Sequence, residues 1–328
     1  MSRKRKLSIP GPLLVASGVA LGYAGLRALL GLRPKADEGF FDWHGPVEKD
    51  VDVGSALIDL PAKYYRDDCF IGFFSADAGA VRDVLPSGDL HPALWPGGRA
   101  AVAIVAFNYL DTGLVRYGEI GICPVCTYGR PAPPLLPLLL EDRYPGFGAF
   151  VLHLPVTSLV ARDGGRVVWG YAKFVADMDF EKRPAYQRVR LAEGGAHILT
   201  LTVQQRGLPL KDNRPMVTYS VHGGQVLRTV IPSRAVYQLG FLPGSGTLEL
   251  GDHPVADQLH DLDLGTTAIL TKNYLARSGI LPRGEPVGPA DRPHTGYRGE
   301  QREFGRLTVT YDDARGPVDL YAGRGDRT

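Results

Sequence analysis

The chain is poor in the residues that build disulfide or metal scaffolds. It has three cysteines in 328 residues, Cys69, Cys123 and Cys126, an odd and small number that excludes a disulfide-stapled architecture. Cys123 and Cys126 form a C-x-x-C, but no second Cys or Cys/His pair follows at ligand spacing, so no metal site is expected. The pair lies in a β-like stretch rather than at a helix start, where a redox thiol gains its reactivity. A buried structural role is the simpler reading and a redox protein the remoter one. Charge of one sign is also lacking. The formal net charge is +2, much of it at the extreme N-terminus, and no basic stripe of the kind nucleic-acid binding needs is present. The chain has no P-loop, no G-x-S-x-G and no H-E-x-x-H.

What is present is ordinary globular material, 44% hydrophobic and 22% charged. Forty-one glycines and 26 prolines punctuate many short β-rich runs. This pattern predicts a mainly β protein with minor α content. Strands are expected over 66–74, 99–109, 120–128, 147–154 and 174–180, then 189–191, 197–203, 216–222, 225–230, 246–250 and 306–311. Short helices are expected over 77–85, closed by Pro86, and over 155–163, ended by Gly164-Gly165. Consecutive strands with Gly turns point to a closed or nearly closed antiparallel sheet.

The N-terminus differs from the rest. Residues 1–6 are basic, and Leu7 to Leu26 carry no charge. A helix over 7–32 would span the roughly 30 Å hydrocarbon core of a bilayer. A cleaved signal peptide and a helix docked on protein compete with this reading. A single membrane anchor is expected, with the side of the membrane left open by Arg27, Arg33 and Lys35. Residues 33–60 read as a linker, 61–285 as the folded domain and 286–328 as a Gly/Arg/Pro-rich tail. The Pro/Leu-rich stretch 130–144 reads as an insertion. It would act as a lid, dip into a membrane, or pack on its own domain.

One segment concentrates the chemistry: Arg166-Val-Val-Trp169-Gly170-Tyr171-Ala172-Lys173-Phe174. A single lysine follows an aromatic and aliphatic run, with Arg166 and Asp177 as its nearest local charges. Packed inward, such a lysine is desolvated. Desolvation disfavours an ammonium group, and an imine-forming amine must be neutral. Alternatively, Lys173 sits in a half-buried strand with its stem covered and its head in water.

The run Gly170-Tyr171-Ala172-Lys173-Phe174 resembles the aromatic-Pro-Lys-Lys signature of the acetoacetate decarboxylase-like family. The order of neighbouring segments between about Tyr64 and Pro282 is similar as well. The resemblance implies a closed antiparallel double β-barrel, no cofactor and a tendency to homo-oligomers. It also implies that Lys173 is the Schiff-base lysine. Two positions depart from the signature: Ala172 replaces proline, and Phe174 replaces a second lysine that disfavours the charge on the first. Tyr117-Gly118-Glu119 resembles the family's Tyr-x-Glu segment, which makes Glu119 the pocket glutamate that places a proton or a water. A further family glutamate is missing, with Val105 and Ala106 in its region. Arg66, near the family's arginine, is the candidate for holding a substrate carboxylate, and Trp169, Tyr171 and Phe174 are candidate apolar walls. The implied activity is decarboxylation or related enamine chemistry on a keto acid or ketone. The alternative is a non-catalytic barrel that binds a hydrophobic small molecule or lipid at a membrane.

Overall fold

The long apolar runs of the sequence become strands buried on both faces. The computed structural model describes residues 39–293, 297 and 299, with the backbone of two short strands at 308–311 and 318–319. The expected anchor over 7–32 lies outside the described residues. Among the described residues no helix is long and apolar enough to cross a membrane. In chain order the strands are β1 (Glu48–Asp52), β2 (Leu57–Leu60), β3 (Ala62–Ala76), β4 (Leu90–Pro92), β5 (Ala100–Thr112), β6 (Tyr117–Tyr128), β7 (Phe147–Phe150), β8 (Asp177–Lys182), β9 (Tyr186–Glu193) and β10 (Ala196–Gln204). Then follow β11 (Pro209–Asp212), β12 (Met216–His222), β13 (Gln225–Ile231), β14 (Ser233–Gly240), β15 (Gly246–Leu250), β16 (Leu270–Leu281), β17 (Glu285–Pro289), β18 (Thr308–Tyr311) and β19 (Val318–Asp319). The helices are α1 (Ala78–Val84), α2 (Leu136–Leu139), α3 (Leu159–Trp169) and α4 (Pro254–Asp261).

Strands β1 and β2 pair as a hairpin, so the second half of the expected linker is structured. An 11-stranded sheet runs β11-β14-β16-β3-β5-β6-β7-β12-β13-β17, with β4 on β6. A six-stranded sheet runs β15-β10-β9-β8-β18-β19. The expected closed double barrel is not formed, because both paths end in strands that do not pair with each other. The ends resist closure for a chemical reason. Strand β17 contains Pro286 and Pro289 and β11 begins at Pro209, and proline cannot donate to a ladder. The tail strand anticipated over 306–311 is β18, which adds in parallel to β8.

Strand β5 shows why a run can be apolar throughout. Ala100, Val102, Ile104 and Ala106 enter one core, between the large and small sheets. Ala101, Ala103, Val105, Phe107 and Tyr109 enter a second core on the other face of the large sheet. Side chains alternate along a strand, so burial of both faces requires an unbroken apolar sequence. The second core holds a cavity of about 1160 Å³. Residues from β6, β11, β12, β13 and β16 all line it, so the large sheet curls around it.

The same alternation settles the cysteine pair. Cys123 lines the cavity and Cys126 lies in the opposite core. Three residues along a strand separate their Cα atoms by about 10 Å, beyond the reach of a disulfide. Burial pushes the Cys123 thiol up to about 12, with Glu119 adding to the effect. A mild oxidant under native conditions is therefore expected to leave the intact mass without a 2 Da loss; that loss, mapped to Cys123 and Cys126, would contradict the register.

Helix α3 departs from expectation in an informative way. Ser158 caps its start by accepting from Ala161 N. The helix does not stop at Gly164-Gly165 but continues to Trp169, and Gly170 ends it in the left-handed conformation (φ 64°). The glycine pair serves packing instead. A Cβ at Gly165 would overlap Cδ and Cε of Lys173, so this glycine lets the lysine stem cross the helix.

Candidate active site

Lys173 follows the end of α3 in an irregular segment. The segment is held against residues 154–156: Leu154 N donates to Ala172 O (3.0 Å) and Val156 N to Phe174 O (2.9 Å). Residues 153–157 in turn lie along β6, where Ile120 N donates to Pro155 O (3.0 Å) and Thr157 N to Gly118 O (3.0 Å). Arg166 Nε donates to Lys173 O at 2.7 Å, tying the segment back to the helix. This double lacing carries Lys173 over Glu119 of β6.

The two side chains meet. Lys173 Nζ donates to Glu119 Oε2 at 2.6 Å, and Lys173 and Glu119 are 5% and 6% exposed. Tyr109 OH donates to the other oxygen, Oε1, at 3.2 Å. Tyr64 OH and Tyr117 OH pair at 3.1 Å beside them, and Nζ stands 5.6 Å from the Tyr117 ring centroid. Burial, reinforced by the Glu119 charge, pushes the phenols of Tyr64, Tyr109 and Tyr117 up, so they remain neutral donors. Lys173 and Glu119 both line the cavity. Of the two readings of Lys173, the structure has the inward one: the head, like the stem, is out of water.

The other expected site residues divide. Tyr171 lines the cavity, its hydroxyl 2.8 Å from Thr218 Oγ1. Trp169 does not line it; its indole donates to Pro282 O at 2.7 Å and packs behind Tyr171. Phe174 points the other way, into the core between the sheets, edge-on to Tyr297 at 4.9 Å between ring centroids. Adjacent residues of an extended segment face opposite sides, so Phe174 cannot stand beside the Lys173 amine. Arg66 is a correction as well. It is exposed, outside the cavity, while the next residue, Asp67, is buried.

A buried arginine does reach the cavity, but from another strand. Arg277 of β16 lines it, donates to Asp67 Oδ2 at 2.5 Å and covers the Phe107 ring at 4.8 Å. Sequence reasoning missed it. The available signal was Asp67, a carboxylate next to an apolar run, which burial obliges to find a cation. Burial pushes the Asp67 carboxyl up to about 6 against the pull of Arg277, and the same Asp67 charge holds Arg277 firmly protonated. The sign of the pH dependence follows. Between about pH 4 and pH 6 the folded chain keeps a proton on Asp67 that the unfolded chain has lost, so this group makes stability fall as pH rises through that window. Asp67→Asn is expected to flatten that part of a Tm-against-pH curve. An identical slope in the variant would remove Asp67 as its source.

The Pro/Leu-rich stretch covers one side of the cavity. Leu135, Leu138, Glu141, Tyr144 and Pro145 line it, and Glu141 is 3.1 Å from Arg214 Nη1. Arg214 also pairs with Asp212 at 2.6 Å.

The sequence model of the acetoacetate decarboxylase family matches residues 46–287, well over half of the chain. The chain belongs to the acetoacetate decarboxylase family. Solved structures agree on the fold. The acetoacetate decarboxylase of Legionella pneumophila superposes with a TM-score of 0.54 at 17% identity, over 79% of this chain and 99% of that one. The enduracididine biosynthesis enzyme MppR, complexed with pyruvate, gives a TM-score of 0.54 at 14% identity, over 72% of this chain and 94% of that one. No curated protein matches by sequence. Where the signature it resembles has two adjacent lysines, this chain has Lys173 followed by Phe174. The geometry explains how Phe174 is accommodated: position 174 belongs to the core between the sheets.

Proposed function

We propose that this acetoacetate decarboxylase family member is a Schiff-base lyase acting on a keto acid or ketone, with Lys173 as the imine-forming amine and Glu119 as its proton partner. The observation that carries this reading is the 2.6 Å contact between the two at the wall of a mainly apolar cavity. Membership of a family whose named enzyme is a decarboxylase supports it, as does the keto acid bound in the MppR structure.

The chemistry balances with the groups in place. Glu119 takes a proton from the Lys173 ammonium, so the pair becomes a neutral amine and a carboxylic acid without changing its net charge. The amine adds to the substrate carbonyl carbon, and Glu119 returns the proton to the carbonyl oxygen. Loss of water gives an iminium. In a β-keto acid the bond to the carboxylate then breaks, carbon dioxide leaves, and the electron pair passes to the nitrogen as an enamine. Protonation at carbon and hydrolysis release the ketone and regenerate the amine. Tyr109 keeps Glu119 aimed through Oε1 while Oε2 exchanges the proton. A second reading, a non-catalytic pocket for a hydrophobic small molecule, draws support from the apolar lining of the same cavity.

Borohydride reduction separates them. Incubation with a panel of keto acids followed by reduction is expected to add the mass of the reduced substrate at Lys173, located by peptide mapping. No added mass on any keto acid would leave the binding reading.

A further inference from the structure

The cavity is much larger than a small keto acid requires. Its 1160 Å³ exceeds the roughly 300–1,000 Å³ typical of pockets for drug-sized ligands. It would hold about forty waters at liquid density. The reactive amine sits deep within it. Lys173 and Glu119 are almost wholly buried, whereas the exposed lining residues Pro96, Gly97, Pro145, Pro215, Leu242 and Pro243 mark the mouth.

The path between the two is legible on β6. Glu119, Gly121, Cys123 and Val125 are alternate residues of that strand and all line the cavity. Six residues of strand cover about 20 Å. Ala93 N donates to Val125 O at 2.8 Å, which brings the end of this row beside Trp95, Pro96 and Gly97 at the mouth. On the neighbouring strand β5 the same row reads Phe107, Val105 and Ala103. Small residues at 103 and 121 leave the passage open. Most charged and polar groups in the wall have partners within the protein: Arg277 pairs with Asp67, Arg214 with Asp212 and Glu141, and Tyr171 with Thr218, while Lys272 stands 4.0 Å from Glu141 and 5.3 Å from the centre of the Tyr237 ring. Burial keeps the Cys123 thiol neutral. Apart from Lys272 and Arg228, the wall between the amine and the mouth offers mainly apolar contact.

We infer that the substrate carries a long apolar chain: its carbonyl is delivered to Lys173 at the inner end while an alkyl tail of about a dozen carbons or more fills the passage toward Pro96 and Leu242. This rests on the imine reading for the carbonyl end and on the cavity alone for the tail. Each methylene moved from water into such a wall multiplies affinity about fourfold. A four-carbon keto acid gains none of this and leaves most of the space to water.

The test is a chain-length series. Linear 3-keto acids of about four to about sixteen carbons are offered at equal low concentration, with borohydride, and labelling of Lys173 is timed. Labelling at least tenfold faster for the longest than for the shortest is the expected result. Equal or slower labelling by the long acids overturns the proposal and leaves the imine reading intact. Ala103→Phe narrows the passage away from the reacting groups. It is expected to slow labelling by the long acids far more than by the four-carbon acid, so that the long-chain advantage is lost; an undiminished advantage overturns the proposed path. The wild-type series stands if that variant does not fold. Saturated fatty acids, which have no keto group, provide the arm independent of imine chemistry. A rise in Tm that grows with chain length supports the apolar passage even where no keto acid labels, and no rise at any length overturns it.

Discussion

Lys173→Met is expected to abolish borohydride labelling and turnover and to lower the Tm by about 10 °C. The first effect follows from removal of the nucleophile. The second follows from what remains. Glu119 is buried, and its Oε2 loses the only cation within hydrogen-bond reach among the described residues. Removing one partner of a buried pair costs about 3–5 kcal/mol, because the remaining charge is left uncompensated or must take a proton. The double variant Lys173→Met, Glu119→Gln removes that charge and is expected to recover most of the Tm and none of the labelling. Glu119→Gln alone divides the roles differently. It leaves the amine in place but without its proton partner, so labelling at Lys173 still occurs but more slowly, and turnover falls by about 10²-fold or more. If Glu119→Gln turns over at the wild-type rate, Glu119 is only a structural counter-ion.

Phe174→Lys is expected to unfold the protein or lower its Tm by more than about 10 °C, with no change in the pH dependence of labelling in whatever folds. The family signature places a second lysine there, and by sequence alone the substitution restores it. In the structure Phe174 is fully buried on the far side from the amine, packed against Tyr297 in the core between the sheets. The substitution removes an aromatic side chain from a core, a loss of about 3–5 kcal/mol, and replaces it with a charge that has to be buried. A variant with unchanged Tm and a labelling profile shifted to lower pH would mean that residue 174 faces the cavity.

Much of the strand content was legible because it rests on short-range rules. The apolar runs at 99–109 and 120–128 are unbroken because β5 and β6 are buried on both faces. Asp77 caps α1, and the helix gives way at Leu85 just before Pro86. The family resemblance singled out Lys173 and Glu119, 54 residues apart in sequence, and the structure brings their side chains together. Gly164-Gly165 misled because glycine reads as a helix end; here it is a gap for a side chain that arrives from eight residues later.

The amino-acid order alone determined the local periodicity, the helix caps and the family, since each depends on neighbours along the chain. Only the tertiary structure decided which way each residue faces and what it meets. Sheet closure failed at edges that carry proline, a property of two strands far apart in sequence. The buried arginine that meets Asp67 at the cavity is Arg277, and Arg66 stays outside, because Asp67 turns inward and β16 is the neighbour of β3. Facing and pairing are set by which strands lie side by side, and that depends on packing energies summed over the whole molecule, which no local window of sequence contains.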